Sequence, residues 1–210
     1  AFGDTIVGSS TIGNTIYGMA GNDIIKGVGG NNILDAGAGD DTIFSGTGDD
    51  IIDGGTGNNT LSFEDITTGG VTVRLSDTSS QNTANAGNDT IKNIQNLKGT
   101  TSSDTLGGTA NDINILDGLG GNDTADYSFL NRLNSDQGIS ANLIDGTVDK
   151  GKSSPDQVIS IENIIGTDGK DVFKGNNFAN ILDGGAGDDT FTGNGGDNTL
   201  KGGSGSDTVI

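Results

Sequence analysis

A nine-residue period runs through much of this 210-residue chain and restricts the folds open to it. Residues 18–62 divide without a gap into blocks of nine, and residues 166–210 divide in the same way. Each block places small residues first, Asp or Asn sixth and a large apolar residue eighth. Nine residues are too few for a helix–turn–helix unit, so each block is expected to form a tight turn followed by a very short strand.

Composition agrees with a helix-poor fold and a thin core. The chain has 39 Gly, one Pro and 30% hydrophobic residues, and Glu64 and Glu162 are the only Glu among its 29 acidic residues. Asp, Asn and Gly favour turns, whereas Glu favours helices. The sequence has no Cys and no His, which excludes disulfides, thiolate nucleophiles and imidazole-based catalysis or metal ligation.

The charge of the chain restricts its partners. A net charge of −19 and a pI near 4.1 oppose binding to nucleic acid or to anionic lipid headgroups. No apolar stretch approaches the 18 residues of a membrane-spanning helix, and the N-terminal sequence lacks the pattern of a Sec-type signal. We therefore expect no nucleic-acid partner and no direct membrane insertion, and small hard cations are the natural ligands.

The period predicts an all-β fold: a parallel β-roll, or right-handed β-solenoid, with two inserted strand-and-loop segments. If two blocks complete one coil, residues eighteen apart stack at the parallel-strand spacing of roughly 4.8 Å. The eighth-position side chains then form facing inward ladders. The expected ladders are Ile25, Ile43 and Leu61 against Leu34 and Ile52, and Ile164, Leu182 and Leu200 against Phe173, Phe191 and Val209.

A longer duplication divides the chain into five segments. The strings GVTVRL at 70–75 and DTIKNIQNLKGT at 89–100 recur as GISANL at 138–143 and DQVISIENIIGT at 156–167. Each inserted segment is expected to contain one alternating strand. The predicted divisions are a first array at 1–62, an insertion at 63–96, a second and interrupted array at 97–126, a second insertion at 127–163 and a third array at 164–210.

The same stacking aligns the sixth-position carboxylates. Asp23 lies above Asp41, and Asp171, Asp189 and Asp207 form one column. Stacked carboxylates repel each other unless cations lie between them. Calcium suits this arrangement because it accepts six to eight oxygen ligands in flexible geometry. Glycines at the first, second and fourth positions are expected to adopt positive φ and to direct carbonyls inward.

These blocks resemble the hemolysin-type RTX (repeats-in-toxin) calcium-binding family, whose signature is GGxGxDxUx with U a large aliphatic residue. Residues 184–192 and 202–210 match it at every defined position if Phe191 is accepted as the apolar residue. The resemblance implies a parallel β-roll that binds several Ca²⁺ ions. It also implies type I secretion and a location outside the cell, with the chain forming a segment of a larger secreted or cell-surface protein.

The predicted metal ligands combine sixth-position side chains with backbone carbonyls of the turns. Asn brings an oxygen but no charge, so edges rich in Asn are expected to bind more weakly. Asp104 and Asp123 are nineteen residues apart, which argues against their pairing. The predicted side-chain ligands are Asp23, Asp41, Asp50, Asn32, Asn59, Asp104, Asp123, Asp171, Asp189 and Asp207. The predicted carbonyl ligands belong to Gly18, Gly21, Gly37, Gly39, Gly184, Gly185, Gly187, Gly202, Gly203 and Gly205.

The expected function is that of a calcium-binding, calcium-folded structural segment in a surface layer, an adhesin or an extracellular matrix element. No catalytic residues are expected, because metal ligation accounts for the paired carboxylates. Two alternatives are an accessory RTX module of a secreted enzyme or toxin, such as a protease, lipase or alginate epimerase, and a calcium-dependent glycan-binding module. Self-association into a lattice or filament is a further expectation.

Overall fold

A computed structural model describes residues 2–130, 137–152 and 154–210. Parts of the predicted first array (residue 1) and second insertion (131–136 and 153) lie outside these ranges. The regular elements of the described ranges are β-strands, without a helix, as the shortage of Glu predicted. In chain order they are β1 Thr5–Val7, β2 Thr15–Tyr17, β3 Ile24–Lys26, β4 Ile33–Asp35, β5 Thr42–Phe44, β6 Ile51–Asp53, β7 Thr60–Ser62, β8 Thr72–Arg74, β9 Ser80–Asn82, β10 Asn88–Lys92, β11 Asn96–Lys98, β12 Thr105–Gly107, β13 Ile115–Asp117, β14 Thr124–Asp126, β15 Ser140–Asn142, β16 Thr147–Asp149, β17 Asp156–Ile159, β18 Asn163–Ile165, β19 Val172–Lys174, β20 Ile181–Asp183, β21 Thr190–Thr192, β22 Thr199–Lys201 and β23 Thr208–Val209.

The strands form three open sheets that are mostly parallel, which confirms the predicted β-roll. The first sheet has the order β1-β3-β5-β7-β11-β13-β17-β16-β15-β19-β21-β23. The second has the order β2-β4-β6-β10-β9, and the third has the order β22-β20-β18-β14-β12-β8. Successive strands of the chain alternate between facing sheets, so each pair of blocks makes one coil.

The register confirms the eighteen-residue stacking. Ile25 pairs with Ile43, which pairs with Leu61, and all three side chains are fully buried. Leu34 pairs with Ile52 on the opposite sheet. In β3, β4 and β6 the first residue is exposed and the second is buried, because neighbouring side chains of a strand point to opposite faces.

The third array has the same construction with larger side chains. Leu182 pairs with both Ile164 and Leu200, and Phe191 pairs with both Phe173 and Val209. The rings of Phe173 and Phe191 stack with their centroids 5.2 Å apart. The predicted ladder pairings are therefore confirmed, and the core is two side chains thick. Val209 is an exception to the predicted burial, because it is 66% exposed although it pairs with Phe191.

Within the described residues each predicted insertion contains three strands, β8 to β10 in 63–96 and β15 to β17 in 127–163, so the prediction of one strand was wrong. The alternating strands β8 and β15 pair in parallel with β12 and β19 of the next array. A second strand, β9 or β16, lies antiparallel to β10 or β17. The sequence of β9 is the polar SQN, which has no apolar alternation to mark it. Polar edge strands give a weak sequence signal because only one of their sides is paired.

The interrupted array keeps its register despite the extra residue. Thr105 pairs with Thr124, nineteen positions later, and this places Asp104 beside Asp123. The prediction against this pairing was therefore wrong. The additional residue lies in the turn between β12 and β13, where a longer loop changes the length of the connection but not the stacking of the strands.

Candidate metal centre

The sixth-position side chains form hydrogen-bonded ladders along the edges of the roll. The backbone N–H of Asp23 donates to Oδ1 of Asp41 over 2.7 Å. The N–H of Asp171 donates to Oδ1 of Asp189 over 2.8 Å, and that of Asp189 donates to Oδ1 of Asp207 over 3.0 Å. We call each sixth-position residue, or its structural equivalent, a rung. The predicted carboxylate columns are thus present in the structure.

The second carboxylate oxygen of several rungs is buried and has no hydrogen-bond partner within residues 2–130, 137–152 and 154–210. The residues concerned are at most 1% exposed. A buried carboxylate oxygen without a donor is costly, because it has lost its water and gained nothing in return. An ion of opposite charge removes that cost. The unpaired atoms are Oδ2 of Asp23, Asp41, Asp50, Asp123 and Asp189.

Beside Gly18 and Gly184, an unpaired carboxylate oxygen lies close to a backbone carbonyl of the next coil. A Cβ placed on Gly18 would lie 2.6 Å from Asp23 Oδ2 and 2.5 Å from the Ala36 carbonyl oxygen. A Cβ on Gly184 would overlap Asp189 Oδ2 and would also lie 2.9 Å from the carbonyl oxygen of Gly202. Two oxygen atoms converge at each place, with the Ile25 methyl further away at Gly18, and hard cations such as calcium prefer oxygen ligands. The residues present therefore fit a calcium ion.

Carboxylates alone do not complete such a site. In the part of the chain that the structure describes, no group of three or more acidic side chains is close enough together to hold a metal ion. The carbonyl ligands that the sequence predicts stay a prediction, and an ion bound here would need ligands beyond the carboxylates. Two of the predicted carbonyls, those of Gly37 and Gly185, also accept backbone hydrogen bonds from Thr56 and Ser204.

In Asn rungs the side-chain amide nitrogen takes the place of the second carboxylate oxygen and donates hydrogen bonds. Asn59 Nδ2 donates to the carbonyl oxygens of Gly54, at 2.8 Å, and Asn93, at 3.1 Å. Asn32 Nδ2 donates to the Gly30 carbonyl, at 2.7 Å, and to Asp50 Oδ1, at 2.9 Å. The amide nitrogens of these Asn rungs therefore have hydrogen-bond partners, whereas the Oδ2 atoms of five Asp rungs have none among the described residues.

Two predicted Asp ligands are instead paired with threonines. Thr100 donates its backbone N–H to Asp104 Oδ2 over 2.7 Å and its hydroxyl to Oδ1 over 3.1 Å. Thr167 makes the same two bonds to Asp171, at 2.7 and 3.1 Å. Each Thr takes the second position of the first block after an insertion, and Thr109 takes the same position in the ten-residue block 108–117. These two carboxylates differ from the five with an unpaired oxygen.

The structure adds four rungs that the sequence reasoning missed. Asp50 N–H donates to Asp89, and Asn59 N–H donates to Gln95. In the second module Asn114 N–H donates to Asp156, and Asp123 N–H donates to Glu162. A signal for them existed in the duplicated strings, which carry Asp at the first position (89 and 156) and Gln or Glu at the seventh (95 and 162).

Burial raises the pKa of the carboxylates of Asp41, Asp50, Asp123 and Asp189. It raises the pKa of Asp50 to about 7, with a further contribution from the charge of Asp89. Burial and neighbouring carboxylates raise the pKa of Asp123 and of Asp189 to about 6. The charged form of each of these carboxylates is therefore disfavoured in the metal-free roll, and a bound cation would favour it.

Positive φ occurs at only two of the three predicted glycine positions. Gly185 and Gly187, at the second and fourth positions, have φ of 90° and 114°. Gly184, at the first position, lies outside the left-handed region, so this part of the prediction was wrong. Its lack of a side chain serves another purpose, since a Cβ there would meet the Asp189 carboxylate.

Comparison with known proteins agrees with this geometry. The model of the RTX calcium-binding nonapeptide repeat matches residues 11–43, 26–61, 165–200 and 174–209. These ranges fall in the first and third arrays. A search of curated proteins gives no match. RTX repeats of this type bind Ca²⁺ at several sites. Four copies of the RTX calcium-binding nonapeptide repeat therefore lie within this parallel β-roll, which is consistent with an RTX-type repeat protein.

Proposed function

We propose that this chain is a calcium-folded structural segment of a secreted or cell-surface protein. Calcium binding in a structural segment follows from the RTX repeats. The observation that carries the proposal further is the set of buried carboxylate oxygens without a partner, because each needs a positive charge before burial becomes favourable.

The ions are assigned to the rungs with an unpaired oxygen. Asp23 with the Ala36 carbonyl, and Asp189 with the Gly202 carbonyl, are the best examples. Bound calcium would supply the positive charge that these oxygens lack. No ion is assigned to the Asn32 and Asn59 rungs, because the side-chain amides of both already make hydrogen bonds. Asp207 is exposed and receives the backbone N–H of Asp189, so it completes the column at its exposed end.

Calcium binding and folding are coupled in this scheme. The metal-free chain carries a net charge of −19, which opposes compaction. The ligands of one ion come from successive coils, so the site exists only in the folded roll and the ion stabilises that state by mass action. A chain of this kind remains extended where calcium is scarce, which suits type I export, and folds outside the cell, where calcium is abundant.

The proposed role is mechanical, as a spacer in a surface layer, an adhesin or an extracellular matrix element. The matched repeat is a calcium-binding structural repeat and not a catalytic domain. The described residues include no helix of the length and apolarity needed to cross a membrane. The three open sheets present strand edges on which coils can be added, and this supports self-association as part of the proposal.

A calcium titration followed by far-UV circular dichroism tests this function. The expected result is a cooperative gain of β-signal that EGTA reverses. Asp189→Ala should weaken the gain more than Asn198→Ala, because Asn198 Nδ2 is paired with the carbonyls of Gly193 and Gly195. A folded spectrum that is independent of calcium, or equal effects of the two substitutions, would exclude the proposal.

A further inference from the structure

Lys150 is buried in a chain whose other charged groups are mostly acidic. Its side chain is 1% exposed, and its ammonium lies 2.8 Å from Asp156 Oδ1. Lys150 Nζ also donates to the carbonyl oxygens of Thr109, at 2.7 Å, and Asp112, at 2.8 Å. A fourth oxygen, Asn114 Oδ1, lies 3.3 Å away. A buried lysine of this kind requires compensation, and these four oxygens of the described residues contribute to it.

Two of these oxygens belong to rung side chains, and the other two belong to the turn beside them. Asn114 and Asp156 are consecutive rungs of the first sheet, since the Asn114 N–H donates to Asp156 Oδ1 over 2.9 Å. Thr109 and Asp112 lie in the turn that precedes the Asn114 rung. The ammonium therefore contacts turn carbonyls together with two rung side chains. Turn carbonyls and rung side-chain oxygens also lie together at the unpaired oxygens of Asp23 and Asp189.

The orientation of the Asn114 amide is consistent with a cation at this place. Asn59 presents Nδ2 to the first glycine of its block, at 2.8 Å from a Cβ on Gly54. Asn114 presents Oδ1 to Gly108 instead, and its Nδ2 donates to the Gln95 carbonyl over 2.7 Å. The amide oxygen therefore faces the turn where Asn59 places a donor. The Thr109 N–H also donates to this oxygen over 2.8 Å, and Asn180 turns its Oδ1 toward Gly175 in the same way, so the orientation permits a cation but does not depend on one.

The charges also match. Asp23 and Asp41 bring two negative charges to adjacent rungs, whereas Asn114 and Asp156 bring one. A single ammonium balances one carboxylate, and a divalent ion balances two. The other oxygen of Asp156 accepts the Tyr127 hydroxyl over 3.0 Å, so this carboxylate has partners for both oxygens.

We propose that the ammonium of Lys150 is a tethered cation that takes the place of calcium between the Asn114 and Asp156 rungs. The second insertion carries this lysine back into the roll just before β17 begins. The junction between the insertion and the array is therefore held together without a metal ion. Removal of the ammonium exposes a cation site made of Asp156, Asn114 Oδ1 and two turn carbonyls. This inference rests on the proposed calcium-dependent folding of the other rungs.

The test compares Lys150→Ala with the wild-type chain by native mass spectrometry and thermal unfolding, with calcium as the probe. Lys150→Ala is expected to lower the melting temperature at low calcium and to recover stability as calcium rises. At saturation it should bind one ion more than the wild type. Lys150→Met fills the space with an apolar side chain, so it should remain destabilised and gain no ion. Lys152→Ala, at an exposed neighbour, is the control and should match the wild type.

Two outcomes would overturn the inference. One is a Lys150→Ala variant with wild-type stability at low calcium and an unchanged number of ions. The other is a Lys150→Ala variant that is destabilised or unfolded, like Lys150→Met, and that saturating calcium does not restore. That result would make Lys150 a packing residue. If the wild type itself binds no calcium, the proposed function fails. If the wild type binds calcium and Lys150→Ala gains no ion, only the role of Lys150 fails.

Discussion

The backbone N–H of Asp23 donates to Oδ1 of Asp41, one coil further along the roll, over 2.7 Å. Asp41 makes the same bond to Asn59 Oδ1 over 3.0 Å. Asp and Asn are therefore equivalent in the ladder itself. They differ in the second atom, since Asn adds a donor that pairs with a carbonyl, whereas Asp adds an acceptor that is paired with a threonine at Asp104 and Asp171 and is unpaired at the five other buried Asp rungs named above. One atom per rung thus separates the positions assigned to calcium from those held by hydrogen bonds.

Gly187→Ala should destabilise the roll by about 2 kcal/mol or more, because left-handed φ and tight packing both disfavour a Cβ. Gly187 has φ of 114°, and a Cβ there would lie 2.6 Å from the backbone of Gly169. The matched control is Gly120→Ala, since a Cβ at Gly120 meets nothing within 4 Å. Chemical denaturation in saturating calcium measures both. Equal stability of the two variants would contradict the assigned turn geometry.

The metal-free roll should become less stable as the pH rises from about 4 to about 7. Burial raises the pKa of Asp50 to about 7 and that of Asp189 to about 6, so the folded state binds more protons than the unfolded chain does. Stability from these groups is complete below the unfolded pKa and is lost as the pH passes the folded pKa. Saturating calcium should remove this loss, because the ion replaces the proton.

Circular dichroism of thermal unfolding across this pH range, in metal-free buffer and in saturating calcium, measures both trends. Asp77 offers an internal comparison, because hydrogen bonds from Ser79 lower its pKa and it is exposed. Asp77→Asn should therefore leave the trend in place, whereas Asp50→Asn should reduce it. A metal-free stability that increases with pH would be inconsistent with the unpaired carboxylates.

Val28→Gly should stabilise the roll. Val28 takes the second position of its block with φ of 74°, where a residue with a Cβ costs about 1–2 kcal/mol. Glycine avoids this cost but loses more chain entropy on folding, so the expected net gain is about 0.5–1 kcal/mol. Ala38→Gly is the control, since Ala38 lies outside the left-handed region and should be destabilised by glycine. Thermal unfolding distinguishes the two, and a loss of stability in Val28→Gly would refute the strain.

The periodic parts of the fold were predictable from sequence because every block repeats the same constraint. The pairing of Ile25 with Ile43 and the column of Asp171, Asp189 and Asp207 follow directly from a period of eighteen residues. The state of each carboxylate was not predictable in this way. Asp104 is paired with Thr100, whereas Asp123 keeps an unpaired oxygen. This difference depends on atoms that the repeat pattern does not specify.

The insertions were harder to predict for a different reason. Their strands are short and polar, so β9 gave no alternation to detect. The rungs at Asp89 and Asp156 come from residues that are adjacent only after the chain has looped out and returned, 39 and 42 positions away from their partners. Lys150 reaches its place by the same route, and a lone lysine in an insertion has no spacing that marks it as part of the ladder.

The number of calcium ions bound by rung variants tests the central claim most directly. Asp50 is a buried rung with an unpaired oxygen, and Asn59 is a buried rung whose amide is fully engaged. Native mass spectrometry in saturating calcium should show fewer ions on Asp50→Asn and more ions on Asn59→Asp than on the wild type. An unchanged count in both variants would contradict the claim that the second side-chain atom of each rung decides where calcium binds.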